Sequence, residues 1–155
     1  MEQLTVSREI VKQKYLTGNK DERKLLKELF FSDEYQITDI VTTLEDAYKE
    51  TGRVQPEFSD VPKDLKPFFK ALFDVIVFTE ALNEKQKFNY RKLEQKKYFP
   101  QLEVTINPEM RFNDVLFSTK TPLVGEISRI CLKNKKLAEH AGKTFTEQYQ
   151  KLLTL

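Results

Sequence analysis

The segment Lys85-Gln-Lys-Phe-Asn-Tyr-Arg-Lys-Leu-Glu-Gln-Lys-Lys97 carries six bases against Glu94 alone, with aromatic rings set among them. That mixture has the chemistry of a single-strand binder, in which cations neutralise phosphates and rings stack on unpaired bases. Lys85, Lys87, Arg91, Lys92, Lys96 and Lys97 are the phosphate candidates, and Phe88, Tyr90 and Tyr98 the stacking candidates. A working site needs these bases on one face, joined by Arg129, Lys133 and Lys135, with at least one ring exposed. The competing reading is a solvated linker whose rings pack into the core while its lysines fan outward.

Other reactive groups are scarce. His140 is the only histidine and Cys131 the only cysteine, too few for a zinc site of the usual ligand types. No calcium-loop spacing appears, and no cofactor or metal is assigned. Cys131 alternates with Ile130 and Leu132 and reads as a small core residue; as a nucleophile it would have only His140 as a histidine base. The four glycines, at 18, 52, 125 and 142, are isolated, so no phosphate-cradling loop or serine elbow is built from them. The acidic pairs Asp33/Glu34 and Glu45/Asp46 fall in helix starts or loops. No catalytic residue is assigned, and an enzyme is the least favoured class.

Net charge is only +2, but residues 1–80 hold 16 acids and 12 bases while residues 81–155 hold 8 and 14. Such asymmetry fits a nucleic-acid face, two mutually attracting lobes, or complementary patches between subunits. The longest apolar run, Val75-Ile-Val-Phe78, is far short of the ~20 residues of a membrane span. The first fifteen residues carry charges where a signal peptide would be apolar, and one cysteine excludes an internal disulfide framework. The expected setting is the cytoplasm, or a particle assembled there, with no membrane partner.

These residues must be held by the surrounding elements. Residues 4–17 and 20–31 read as two helices broken at Gly18-Asn19, the second with Leu25, Leu26, Leu29 and Phe30 on one stripe. Thr43-Leu-Glu-Asp46 has the spacing of a capping box for a helix ending at Gly52, with residues 37–41 either joined to it or separate. Residues 53–62, with two prolines, form a loop. A central buried helix follows from Pro67, with Phe68, Phe69, Leu72, Phe73, Ile76, Val77 and Leu82 expected inside. Strands are expected at 98–106, 111–117 and 126–132, then one amphipathic helix capped by Asn134 and carrying Leu137, Ala141, Phe145 and Tyr149. The fold class is α+β: four to five helices packed around a small antiparallel sheet in the C-terminal half. Residues 1–155 are read as a single domain, with 1–34 a candidate added N-terminal helical arm.

Five ordered pieces resemble a protein family of Bacteroidetes phages and mobile elements: Thr43-Leu-Glu-Asp-Ala47, Glu80-Ala-Leu-Asn-Glu84, Lys97-Tyr-Phe-Pro100, Ser128-Arg-Ile-Cys-Leu-Lys133 and Leu137-Ala-Glu-His-Ala-Gly-Lys-Thr-Phe145. The family pattern runs TFEDA, EALNE, YYPWFE, SRLCFK, LAEYAGKQF, so the likeness spans roughly residues 37–155. Here the family's tryptophan-bearing stretch after EALNE is replaced by the basic segment 85–97, and its strand tryptophan by Gln101. No catalytic or binding residues carry over from it. The resemblance implies a phage origin rather than an activity; with the charge lobes and the lack of pocket chemistry it leads to the expectation of a non-catalytic phage assembly or protein-binding component, such as a virion structural protein, in the host cytoplasm or virion. Its partners would be other phage proteins or further copies of itself. The alternative is a nucleic-acid-binding accessory protein for replication, recombination or packaging.

Overall fold

The computed structural model describes residues 6–31, 36–89, 91–92, 94–107, 109–118 and 129–154. Among these residues the architecture is α+β, with seven helices and one two-stranded antiparallel sheet in the C-terminal half. Helix α1 (Arg8–Thr17) begins at Ser7, whose Oγ accepts the Ile10 N–H, and ends at Gly18. Asn19 at once caps α2 (Lys20–Phe30), accepting from Asp21 and Glu22 while the Glu22 carboxylate accepts the Asn19 N–H at 2.7 Å. Residues 37–40 form a separate turn, α3 (Ile37–Ile40), rather than extending the next helix. Helix α4 (Leu44–Thr51) has the Thr43/Asp46 capping box expected and closes at Gly52 with φ +70°, a left-handed conformation that glycine adopts without strain.

Helix α5 (Lys66–Leu82) is the central element, and only part of its apolar circumference is buried. Ala71, Val75, Val77, Phe78, Ala81 and Leu82 are buried, whereas Phe69 is exposed and Phe68 and Ile76 are half-buried. A segment apolar on most sides gives no single stripe, so the neighbours decide the face. Those neighbours are α4, α6 (Lys135–Thr144) and α7 (Thr146–Thr154). The rings of Phe78 and Phe145 stack with centroids 4.3 Å apart, and Tyr149 meets Phe78 edge-on at 5.3 Å. Such aromatic pairs contribute about 0.5–1.5 kcal/mol beyond their area burial.

The single C-terminal helix expected is thus two, parted at Phe145 (φ −114°, ψ 28°). Gly142, Thr144 and Thr146 have weak helix propensity there, and stacking on Phe78 fixes the break. The separate turn before α4 and the break after α6 bring the four to five helices expected to seven among the described residues.

Strands β1 (Lys97–Val104) and β2 (Met110–Ser118) pair antiparallel with a register shift after Gln101, which leaves Asn113 as the extra residue. Helix α6 packs on this hairpin, with Gly142 against Phe112 and Pro100. The third strand expected over 126–132 is reduced, in its described residues, to one bridge between Leu132 and Tyr98. Flanking backbone groups are taken by a side chain instead: Asn83 Nδ2 donates to the Cys131 carbonyl at 2.7 Å, and the Lys133 N–H donates to Asn83 Oδ1 at 2.9 Å. Asn134 then caps α6, so no room remains for a ladder.

The N-terminal helices lie on the body rather than projecting from it. Val11, Tyr15 and Leu16 are buried in the common core, and Lys12–Asp46 (2.8 Å), Arg23–Glu50 (2.9 Å) and Lys27–Glu84 ion pairs tie α1 and α2 down.

A methyl group at position 142 would meet Phe112 Cδ2 and Pro100 Cβ at less than van der Waals distance. In an isolated helix Gly→Ala gains about 1 kcal/mol, so the sign of the effect here tests the packing. Gly142→Ala is expected to lower stability by about 1–3 kcal/mol, seen as a lower urea midpoint at unchanged slope.

Candidate nucleic-acid interface

The end of α5 is an irregular turn built by side chains. Glu84 (φ +52°) and Lys85 (φ +64°) are consecutive left-handed residues, neither of them glycine. Each such conformation costs on the order of 1–3 kcal/mol and persists only where its surroundings over-determine it. Three backbone bonds close the turn: Glu84 N–H to Ala81 O, Lys85 N–H to Glu80 O and Gln86 N–H to Asn83 O, each 3.0 Å. The Glu84 carboxylate accepts from Lys27 on α2 and, at 2.5 Å, from Lys133, while Asn83 holds the backbone of residues 131 and 133.

Burial pushes the Glu84 carboxyl up, but the bonds from Lys133 and Lys27 together outweigh it and hold it below the ordinary carboxylate range. Lys27 shows the mirror effect: burial opposes its charge, and Glu84 with Tyr15 restores it and raises its pKa.

The turn opens one wall of a cleft of about 570 Å³. Its base is the α5 face of Ile76, Glu80 and Asn83. Lys85, Lys87 and the half-buried ring of Phe88 come from the segment after α5, Arg129 from the segment before Leu132, and Arg53 from the loop after α4. Among the described residues Glu80 is the only acid lining the cleft, and its Oε2 accepts from Arg53 Nε at 2.6 Å. Among the described lining residues four cations stand against one carboxylate, with apolar Ile76 and Phe88 beside them.

The sequence candidates therefore divide. Lys85, Lys87, Arg129 and the half-buried ring of Phe88 meet in the cleft, so the expected single face is formed only in part and no described stacking candidate is fully exposed. Lys133 is committed to Glu84, with its side chain only 25% exposed. Lys97, expected at phosphates, is fully buried: it begins β1 opposite Ser118 and its Nζ donates to the Gln95 carbonyl at 2.8 Å. That position removes it from any surface cluster, which corrects the expectation. Lys96 lies just before β1, its Nζ 5.7 Å from the centroid of the exposed Phe117 ring.

Tyr98 is half-buried, 6.1 Å from Phe117 and backbone-paired to Leu132, so it offers less than a free stacking face. Arg91 and Lys92 are exposed in a turn around Asn89 and do not line the cleft; Lys135 is exposed on α6. Tyr90 lies outside the described residues. Arg53 is the member that sequence reasoning missed. Its one local signal is its place directly after the Gly52 cap, because only the packing of α4 on α5 brings it to the cleft.

Cys131 is buried, as its apolar neighbours suggest. His140 Nε2 lies 2.8 Å from the Val41 carbonyl, and burial lowers its pKa, giving it a structural role in holding residue 41 to α6. Among the described residues no cluster of three or more His, Cys, Asp or Glu is placed to hold a metal ion. No family model, no curated protein and no solved structure matches this chain. The cleft must be interpreted from its own chemistry.

Because the folded-state pKa of Glu84 is depressed, its contribution is present above the ordinary carboxylate pKa of 4.5 and is lost as pH falls through the lower folded value. Glu84→Gln should cost about 1–3 kcal/mol at neutral pH. It should also flatten the loss of stability on acidification below pH 4.5. Urea unfolding of both proteins across that range measures each effect.

Proposed function

We propose that this protein is a nucleic-acid-binding accessory protein whose ligand is held in the cleft between the end of α5 and Arg129. The observation that carries this reading is the convergence of Lys85, Lys87 and Arg129, distant in sequence, with Arg53 around an apolar patch that includes Phe88. Cations from separate elements, gathered over a ring, suit a phosphate backbone bearing bases. The resemblance of residues 37–155 to a family of phages and mobile elements points to an origin and does not choose between this reading and the next.

A second reading, a phage assembly or protein-binding component, is favoured by the outer ridge of the hairpin. Val104, Ile106, Leu116 and Phe117 are there between 53% and 104% exposed. Val104 and Ile106 lie at the turn end of the hairpin and Leu116 and Phe117 towards its open end, and exposed apolar side chains mark an interaction surface where a partner joins them. A second copy of the chain or another particle protein would cover it. Among the described residues no helix is long and apolar enough to cross a membrane.

Fluorescence anisotropy with labelled DNA, alongside light scattering for mass, separates the readings. Under the first, binding weakens with salt with a log–log slope of about −2 to −3 for three or four phosphates on a single strand. The triple substitution Lys85→Glu, Lys87→Glu, Arg129→Glu abolishes it, while Lys24→Glu on exposed α2 leaves it intact. Under the second, the protein binds no DNA and forms a defined oligomer that Ile106→Asp with Phe117→Asp reduces to monomer.

A further inference from the structure

We infer that the cleft selects unpaired nucleic acid, taking one base against Phe88 and Ile76 while Lys85, Lys87 and Arg129 hold the adjoining phosphates, and that Glu80 restrains its affinity by occupying Arg53. The inference rests on the nucleic-acid reading and deepens it. Its first support is shape. Duplex DNA is read by an element that protrudes, a helix or a two-stranded ribbon fitting a major groove about 12 Å wide. Here the cations surround a hollow of about 570 Å³, within the size range of sites that enclose small ligands. A duplex offers such a hollow only its convex backbone. An unpaired base can enter it.

The second support is the lining. The half-buried Phe88 and Ile76 place an apolar surface inside the ring of cations, where a phosphate gains nothing but a base gains stacking and burial. Stacking on one aromatic ring is tolerant of sequence, since every base has a flat face. Lys85 is brought to the rim by its left-handed backbone, which the ion pairs of Glu84 sustain, so the site is built rather than left over. The third support is Glu80, whose carboxylate lies in the cleft and accepts from Arg53. An incoming phosphate must compete with it. That arrangement favours moderate, reversible occupancy over tight retention.

The experiment compares labelled oligothymidine, the same length of self-complementary duplex, and inorganic polyphosphate as competitor, for wild type, Phe88→Leu and Glu80→Gln. Oligothymidine should bind at least about tenfold tighter than duplex, and Phe88→Leu should weaken oligothymidine by about 5- to 100-fold. Competition by polyphosphate should be unchanged in Phe88→Leu. Glu80→Gln should tighten oligothymidine by about two- to fivefold, the size of an exposed ion pair. A gain of binding does not arise from misfolding, so this variant keeps the test valid if Phe88→Leu is unstable. Equal binding of strand and duplex with Phe88→Leu neutral, or no gain from Glu80→Gln, overturns the inference and leaves the nucleic-acid reading standing. No binding of either DNA overturns that reading itself.

Discussion

The chain leaves α5 through two consecutive left-handed residues, and the charge on Glu84 makes that exit tenable. A strained turn of this kind relaxes unless something outside it holds both ends. Lys27 reaches Glu84 from α2 and Lys133 reaches it from the segment entering α6, so one carboxylate joins three stretches that are far apart in sequence. Asn83, beside it, satisfies a carbonyl and an N–H of residues 131 and 133 with its own amide. Together they replace the strand pairing that those residues would otherwise need. The same junction sets Lys85 on one side of the cleft and the approach to Arg129 on the other. Local strain, tertiary connection and the candidate site therefore share one cause.

The junction is rigid because both of its supports are. Leu82, directly before it, is buried on α5, and α5 is fixed by the stacked rings of Phe78 and Phe145. The break at Phe145 lets α7 turn back so that Tyr149 also reaches Phe78. On the far side, the absence of a Cβ at Gly142 lets α6 lie close on Phe112 and Pro100, which anchors the hairpin whose Tyr98 bridges Leu132. Loosening either contact would be felt at residues 131–133 before it was felt at the hairpin tip.

What the sequence revealed was local. The capping box at Thr43 and the helix end at Gly52 need only residues a few positions apart, and these stand as expected. The paired strands were legible from their β-rich runs and the turn signal between them. The inward face of α5 was not, because an almost wholly apolar helix encodes no direction by itself. Lys97 was misread since its partner across the hairpin, Ser118, and hence the face it points to, is set by the register. Arg53 and Arg129 reach one cleft only through tertiary packing, and no spacing in the chain announces that. The break after α6 is visible only in retrospect, in three weak helix formers around a ring that has somewhere better to go.

Charge distribution gives the last step. An acidic first half and a basic second half fitted two lobes attracting one another, and the ion pairs argue against that as the main use of the basic segment. Within the acidic stretch, Asp46 is satisfied by Lys12, Glu50 by Arg23 and Glu45 by Lys49, all from the first half of the chain. Burial still raises the pKa of Glu50 despite its arginine, a sign that this carboxylate is held for structure at some electrostatic cost. Among the described residues the pair that crosses between halves, Lys27–Glu84, runs the other way: a base of the acidic half answers an acid of the basic half, while Arg53–Glu80 lies within the first half. Lys27 and Arg53 thereby offset the charges of Glu84 and Glu80, and so leave the field of Lys85, Lys87 and Arg129 less opposed. A fold that used its basic segment to hold its own lobes together would have done the reverse.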